Sequence, residues 1–141
     1  MSRVYWDTML FVYWMEGHPA YARRIEEIRK SMDRRQDSLC TSVFALGELL
    51  VKPYKLKKPD WMGAIRDFLQ SSEVEVLPFD VETAEIFARI RADYNVSPAD
   101  AIHLASAAQS RADLFLTNDR RLCRLSIPGI HFIAGLDTNL F

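Results

Sequence analysis

The chain has little that could staple it together or hold it in a membrane. Its 141 residues include two cysteines, Cys40 and Cys123, far apart, outside any Cys-x-x-Cys pair and away from paired histidines. That spacing excludes a zinc ribbon and a secreted-type disulfide framework, and it leaves both cysteines as small buried hydrophobes. Long apolar runs are missing too: the longest, Met9 to Met15, falls far short of the roughly 20 residues a bilayer span needs. The run follows Asp7 and has no basic leader, so it does not read as a secretion signal, and the cytoplasm is the expected compartment. Neither sign of charge dominates. Eighteen Lys and Arg face nineteen Asp and Glu, a net charge of −1, which excludes a broad basic coat but allows a local basic patch. No repeat, low-complexity tract or Pro/Gly/Ser-rich linker divides the sequence, and its length suits one domain over residues 1–141.

What is present is an alternation of element types. Arg3–Trp6 reads as a short strand of strand-favouring residues ended by Asp7. Thr8–Trp14 follows as a short buried helix, broken by Gly17-His18-Pro19. A surface helix runs from Pro19 to about Gln36, with Ala22, Ile25, Ile28 and Met32 as its apolar stripe. Ser38–Thr41 is a second strand. Ser42 then caps a helix through Val51 that Pro53 helps to end, and Tyr54–Pro59 is a basic loop. Asp60 starts a helix carrying Trp61, Ile65, Phe68 and Leu69 as packing residues, and Val74–Pro78 is a third strand. A helix over Asp80–Asp93, with Phe87 inward, precedes one over Ser97–Ser110. The latter has a strong start signal: Ser97 as N-cap, Pro98 at the first helical position and Asp100 as the acidic member of a capping box. A strand at Asp113–Thr117, a helical turn at Arg120–Leu125 and a strand at Ile130–Ile133 complete the order. Such alternation predicts an α/β domain with a mostly parallel sheet covered on both faces.

Most of the acids sit among other charges and need no more than a solvated face. Four do not. Asp7 stands between a predicted strand and an apolar run; Glu48 is the only charge in Val43–Val51; Asp100 opens an apolar helix; Asp119 follows the strand Leu114–Thr117. In open α/β sheets ligands bind beyond the carboxyl ends of the strands, where strand order reverses. Asp7 and Asp119 lie at that edge, and Glu48 and Asp100 fall in the first two turns of helices that start there. Each has a bland alternative as strand terminator, turn cap or capping-box member, weakest for Glu48, because a carboxylate in an apolar segment needs a partner. Convergence of like charges is costly: two carboxylates about 4 Å apart repel by about 4 kcal/mol at an effective dielectric of about 20. No lysine or arginine stands among the four by sequence, so a divalent cation is the expected counter-charge, and oxygen-only ligands favour Mg²⁺ or Mn²⁺. A water-rich ion of this kind suits phosphodiester hydrolysis.

These residues carry a resemblance. Asp7-Thr8 after a first strand, Ala45-Leu46-Gly47-Glu48-Leu49-Leu50, the run from Pro98 to Ala107 containing Asp-Ala-Ile-His-Leu-Ala-Ser-Ala, and Leu116-Thr117-Asn118-Asp119-Arg120-Arg121-Leu122 are similar to PIN-domain ribonucleases, in order and over nearly the whole chain. The nearest type is the VapC-like toxin of toxin–antitoxin pairs. The resemblance implies a Rossmann-like three-layer sandwich with about five mostly parallel strands. It implies that Asp7, Glu48, Asp100 and Asp119 match an acidic quartet that binds Mg²⁺ or Mn²⁺, supported by Thr8, Thr117 and Asn118. It also implies metal-dependent endonucleolytic cleavage of RNA, homodimers, and a small antitoxin that covers the groove. Departures are a bulkier segment after Asp7, Thr8 to Trp14, and Gly47 before Glu48.

Other residues invite a role. His103 lies three residues after Asp100 and is read as a packed histidine rather than a catalyst. Arg120 and Arg121 adjoin the proposed metal and are candidates for RNA phosphate contact. The pairs Arg23-Arg24, Arg29-Lys30 and Arg34-Arg35 alternate with Glu26 and Glu27 as a solvated face. Met9–Trp14 is either core or an interface for an antitoxin or second subunit. The competing functions are a non-catalytic PIN-like module binding RNA or protein, and a phosphoacceptor receiver. The receiver needs paired acids after the first strand and a lysine after a late one, and neither is present.

Overall fold

The computed structural model describes residues 1–141. Five short strands, β1 (Arg3–Trp6), β2 (Ser38–Ser42), β3 (Val74–Leu77), β4 (Leu114–Leu116) and β5 (Phe132–Ala134), pair in the order β3-β2-β1-β4-β5. Every pairing is parallel, with Val4 opposite both Leu39 and Leu114. The chain steps from β1 outward to β3 on one side, then returns to place β4 and β5 on the other. Strand order therefore reverses between β1 and β4.

Parallel strands need covering on both faces, and β1 shows how the sequence supplies this. Val4, Tyr5 and Trp6 are all fully buried. Val4 and Trp6 point into one core with Leu114 and Leu116, whereas Tyr5 points into the other with Phe115. The first core is closed by α1 (Thr8–Met15), α2 (Ala22–Arg35), α3 (Val43–Leu56) and α4 (Pro59–Leu69), through Leu10, Phe11, Ile25, Ile28, Leu49, Ile65 and Leu69. The second is closed by α5 (Val81–Asp93) and α6 (Pro98–Gln109). Helix α6 turns Ala101, Leu104, Ala105, Ala107 and Ala108 inward, and these small side chains let it lie close to the sheet. The result is a three-layer α/β sandwich. No helix is long and apolar enough to cross a membrane.

Three sequence expectations change. Pro53 does not end its helix; α3 continues to Leu56, because a proline removes only its own N–H, and the final turn is closed by Lys57 in the left-handed region with Lys58 N–H bonding Pro53 O at 2.9 Å. The basic loop is correspondingly short. Arg24 is not merely solvated: its guanidinium donates to the carbonyls of Leu136 and Thr138, each at 2.7 Å, and fastens the C-terminal tail to α2. Cys40 is buried, and burial pushes its thiol up to about 12, but Cys123 is only half-buried.

The N-cap of α6 forms as the sequence predicts, with Ser97 before Pro98. Ser97 Oγ accepts the Asp100 N–H at 3.1 Å. Substituting Ser97 by Ala removes that acceptor and is expected to lower stability by about 1 kcal/mol, measurable as a lower urea midpoint with an unchanged slope.

Candidate active site

The reversal of strand order opens a cavity of about 580 Å³ lined by Asp7, Thr8, Glu48, Asp100, His103, Asn118, Asp119 and Arg120, with Met9, Val12 and Tyr13 as its apolar side. All four carboxylates singled out by sequence reach this one cavity, from four different elements. Asp7 follows β1, Glu48 sits on α3, Asp100 on the first turn of α6, and Asp119 three residues beyond β4.

Asp7 is held by the sheet itself, since its N–H still donates to Leu116 O at 3.0 Å. Its Oδ1 accepts the Thr8 N–H at 2.7 Å and caps α1; its Oδ2 accepts the Thr117 hydroxyl proton at 2.9 Å. Burial pushes its carboxyl above the ordinary range; His103, the Thr117 hydroxyl and the Thr8 N–H work against that, and the Asp100 charge adds to it. Thr117, fully buried, also accepts the Asp119 N–H at 3.1 Å, so one hydroxyl ties the two acidic loops together. Asn118 donates to the Tyr13 hydroxyl at 3.2 Å.

Glu48 has the partner its apolar surroundings demand. Thr8 Oγ1 donates to its Oε1 at 2.6 Å, and His103 Nε2 stands 2.7 Å from the same oxygen. Burial raises the Glu48 carboxyl, but these hydrogen bonds outweigh it and hold the group below its usual range. Asp100 makes no side-chain hydrogen bond back to Ser97. Only half of a capping box forms, and its carboxylate is left free at the cavity.

One expectation is corrected here and one is extended. A cation does stand beside one of the acids: the largely exposed Arg121 forks onto Asp119, Nη2 to Oδ2 at 2.8 Å and Nε to Oδ1 at 3.2 Å, and holds that carboxyl below its usual range. The Arg121 N–H bonds the same Oδ1 at 2.9 Å, so Asp119 also caps its own turn. His103 is packed, as expected, at 2% exposed, yet its ring nitrogens are wired to Glu48, Thr8 and Tyr5, and it lies 3.9 Å from Asp7. The i,i+2 spacing of Asp119 and Arg121 was a readable sign of the first. Nothing local announces the second, because its partners lie 55 to 98 residues away.

The donors suit a hard cation: the carboxylates offer oxygen, no thiolate lines the cavity, and Asp7 pairs with no lysine or arginine and has only His103 within salt-bridge reach, at 3.9 Å. No three of the acidic, histidine or cysteine side chains are grouped closely enough to hold one metal ion in this structure. An ion bound here by fewer protein ligands would keep most of its water.

An α/β sandwich with an acidic cavity at its switch point is a general design for handling phosphate esters, and the comparisons narrow it. The PIN domain model matches residues 4–128, so the chain belongs to the PIN domain family. Among solved structures it resembles a chain of VapBC2 from Rickettsia felis bound to a promoter DNA fragment (TM-score 0.75, 19% identity, 94% of this chain and 98% of that one). It also resembles DNA-bound VapBC from Salmonella typhimurium (0.74, 27%, 96% and 99%) and VapBC-5 from Mycobacterium tuberculosis (0.60, 21%, 94% and 98%). No curated protein matches it in sequence.

The raised Asp7 carboxyl has a consequence for stability. The folded chain holds that proton more tightly than the unfolded one, so stability is lost as pH rises through the folded carboxyl's range. Asp7→Asn, free of this ionisation, is expected to be more stable than wild type at neutral pH in EDTA. The gain should shrink as pH is lowered through the carboxylate range, checked by urea melts at several pH values.

Proposed function

We propose that this chain is a VapC-type toxin, a PIN domain over residues 1–141 that hydrolyses RNA phosphodiester bonds with an activated water and Mg²⁺ or Mn²⁺. The observation that carries this is the meeting of Asp7, Glu48, Asp100 and Asp119 in one cavity at the switch point. Asp7, Asp100 and Asp119 are the residues to hold the ion, directly or through water, and Glu48 completes the shell or orients the attacking water. When bound, the divalent ion offsets the charge of the phosphodiester and makes water more acidic. The chain's own contribution is placement. Thr8 and Thr117 fix the Asp7 carboxylate, Thr117 ties it to the Asp119 loop, and Arg120 and Arg121 offer phosphate contacts beside the acids.

A cognate antitoxin fits the surface next to this cavity. Trp14, Met15, Trp61, Ala64, Ile65 and Phe68 form a wholly apolar groove. Met15, Trp61 and Ile65 also line a neighbouring depression that includes Lys52 and reaches Glu48. A partner segment with an apolar anchor followed by a basic side chain would cover the groove and meet the acids. The likeness to chains of VapBC complexes supports such a partner. RNA as substrate puts the work in the cytoplasm, and a homodimer is the expected free form.

One observation favours the alternative, a non-catalytic PIN-like module: Asp119 is already paired with Arg121, at 2.8 Å. Cleavage of a mixed RNA pool decides. Wild type should cut with Mg²⁺ or Mn²⁺ and stop in EDTA. Asp7→Asn should cut at least about 100-fold more slowly, the loss expected when several kcal/mol of charge stabilisation goes, and Glu48→Gln should need more Mg²⁺ for the same rate. Equal cutting by wild type and Asp7→Asn rejects the assignment. Arg121→Gln should bind Mn²⁺ more tightly without RNA, because the competing cation is gone, and bind RNA more weakly in EDTA by filter binding.

A further inference from the structure

Packing explains the ring of His103 but not its nitrogens. The ring lies edge-on to Tyr5 and to Phe44, with centroids 5.8 Å and 5.5 Å away. A leucine could fill that space. Instead Nδ1 is 2.6 Å from the Tyr5 hydroxyl, and Nε2 is 2.7 Å from Glu48 Oε1 and 3.0 Å from Thr8 Oγ1.

Counting protons gives this chain one favoured direction. The Ser42 N–H donates to Tyr5 Oη at 3.1 Å, so the phenol oxygen is already an acceptor and its own proton is available to Nδ1 at 2.6 Å. The Thr41 hydroxyl donates to Trp6 O at 2.9 Å, and its oxygen is the one competing acceptor for the phenol proton. At the far end, a bare Nε2 at 2.7 Å from a carboxylate would set two lone pairs against each other, so Nε2 carries the proton. Thr8 gives its proton to the same Oε1. Oε1 therefore takes two hydrogen bonds, and Oε2 takes none from the chain. Glu48 lines the cavity and its side chain is 33% exposed.

We propose that Tyr5 and His103 form a buried strut that positions Glu48. The phenol proton occupies Nδ1 and fixes the orientation of the ring, and the Nε2 proton, held by the Glu48 carboxylate, pins Oε1 and leaves Oε2 for a cation or water. The strut is rooted where the fold is most rigid. Tyr5 is fully buried in the central strand and stacks on Phe115 at 5.0 Å with an 8° tilt. The aim of a side chain on α3 is thus set from the middle of the sheet. What Oε2 does rests on the nuclease reading above; the direction of the strut does not. Tyr5 and His103 are positioning residues.

The test uses the full chain. Nitrogen NMR of the metal-free protein should show the His103 imidazole with its proton on Nε2 and a bare Nδ1, and in Tyr5→Phe the Nδ1 resonance should shift as it loses its hydrogen bond while the proton stays on Nε2. Mn²⁺ binding followed by electron paramagnetic resonance should weaken about 10-fold in Tyr5→Phe, the usual size of losing a group that orients a ligand. In a Glu48→Gln background the same change should have no further effect. His103→Gln, which keeps one acceptor and one donor, should retain most of the affinity, whereas His103→Leu should not. Tyr5→Phe keeps the stacked ring, and His103→Gln serves if it folds poorly. The proposal is overturned by a proton on Nδ1, with the phenol turned to Thr41, by unchanged Mn²⁺ binding in Tyr5→Phe, or by equal weakening with and without Glu48. A wild-type chain that takes up no Mn²⁺ overturns the nuclease reading instead, and the nitrogen spectrum, which needs no metal, tells the two failures apart.

Discussion

Crowding of negative charge at one rim of the sheet is the constraint on which the rest of this molecule turns. Four carboxylates share a cavity, and such groups repel one another strongly wherever protein replaces water. The fold does not answer with a buried lysine. Each acid is treated differently. Asp7 is held by dipoles, a hydroxyl and a backbone N–H. Glu48 is held by two proton donors on one oxygen. Asp119 has a guanidinium, and Asp100 is left to the solvent side. Only one of these four answers consumes a full positive charge, so the cavity stays an attractive place for a cation.

A scaffold that keeps such a cavity open has to be stiff around it. β1 is the central strand and β4 its interior neighbour, both buried on both faces, and Asp7 is still bonded into the sheet through its N–H. The repulsion acts on a loop whose backbone cannot swing away without breaking the β1–β4 ladder. The alanine-rich face of α6 serves the same end from the other side. A bulkier helix would stand farther from the sheet, and His103 could not reach both Tyr5 on β1 and Glu48 on α3.

How much of this is legible in the sequence follows the range of the interactions. Strand alternation, the Ser97-Pro98 start and the apolar stripes are local signals, and the elements built from them stand where they were expected. The placement of four acids on one rim needed only element order, since a doubly wound sheet puts strand ends and helix starts on the same edge. The extension of α3 past Pro53 was hidden because one missing N–H weighs less than the turn that closes after it. His103 is packed, as its neighbours Ala101-Ile102-His103-Leu104 suggest, but the bonds of its ring nitrogens were not legible, because one partner is a phenol 98 residues away that reads, on its own, as an ordinary aromatic strand residue. Arg121 shows the reverse: its partner is two residues off, and an Asp-x-Arg after a strand is a turn that closes on itself.

That closed turn gives the site a coupling on the proposed reading. RNA is a polyanion and the cavity is acidic, so substrate and cavity repel until a cation intervenes. The only guanidinium fixed among the acids is the one on Asp119, and it cannot hold the carboxylate and a phosphate equally well. A phosphate that draws Arg121 away uncovers Asp119 for the cation, and a cation on Asp119 releases Arg121 for the phosphate. Each ligand then raises the affinity of the other by the same factor, as linkage requires. On that reading, the side chain that best argues against an active nuclease in the free protein is the one that would link the binding of cation and phosphate.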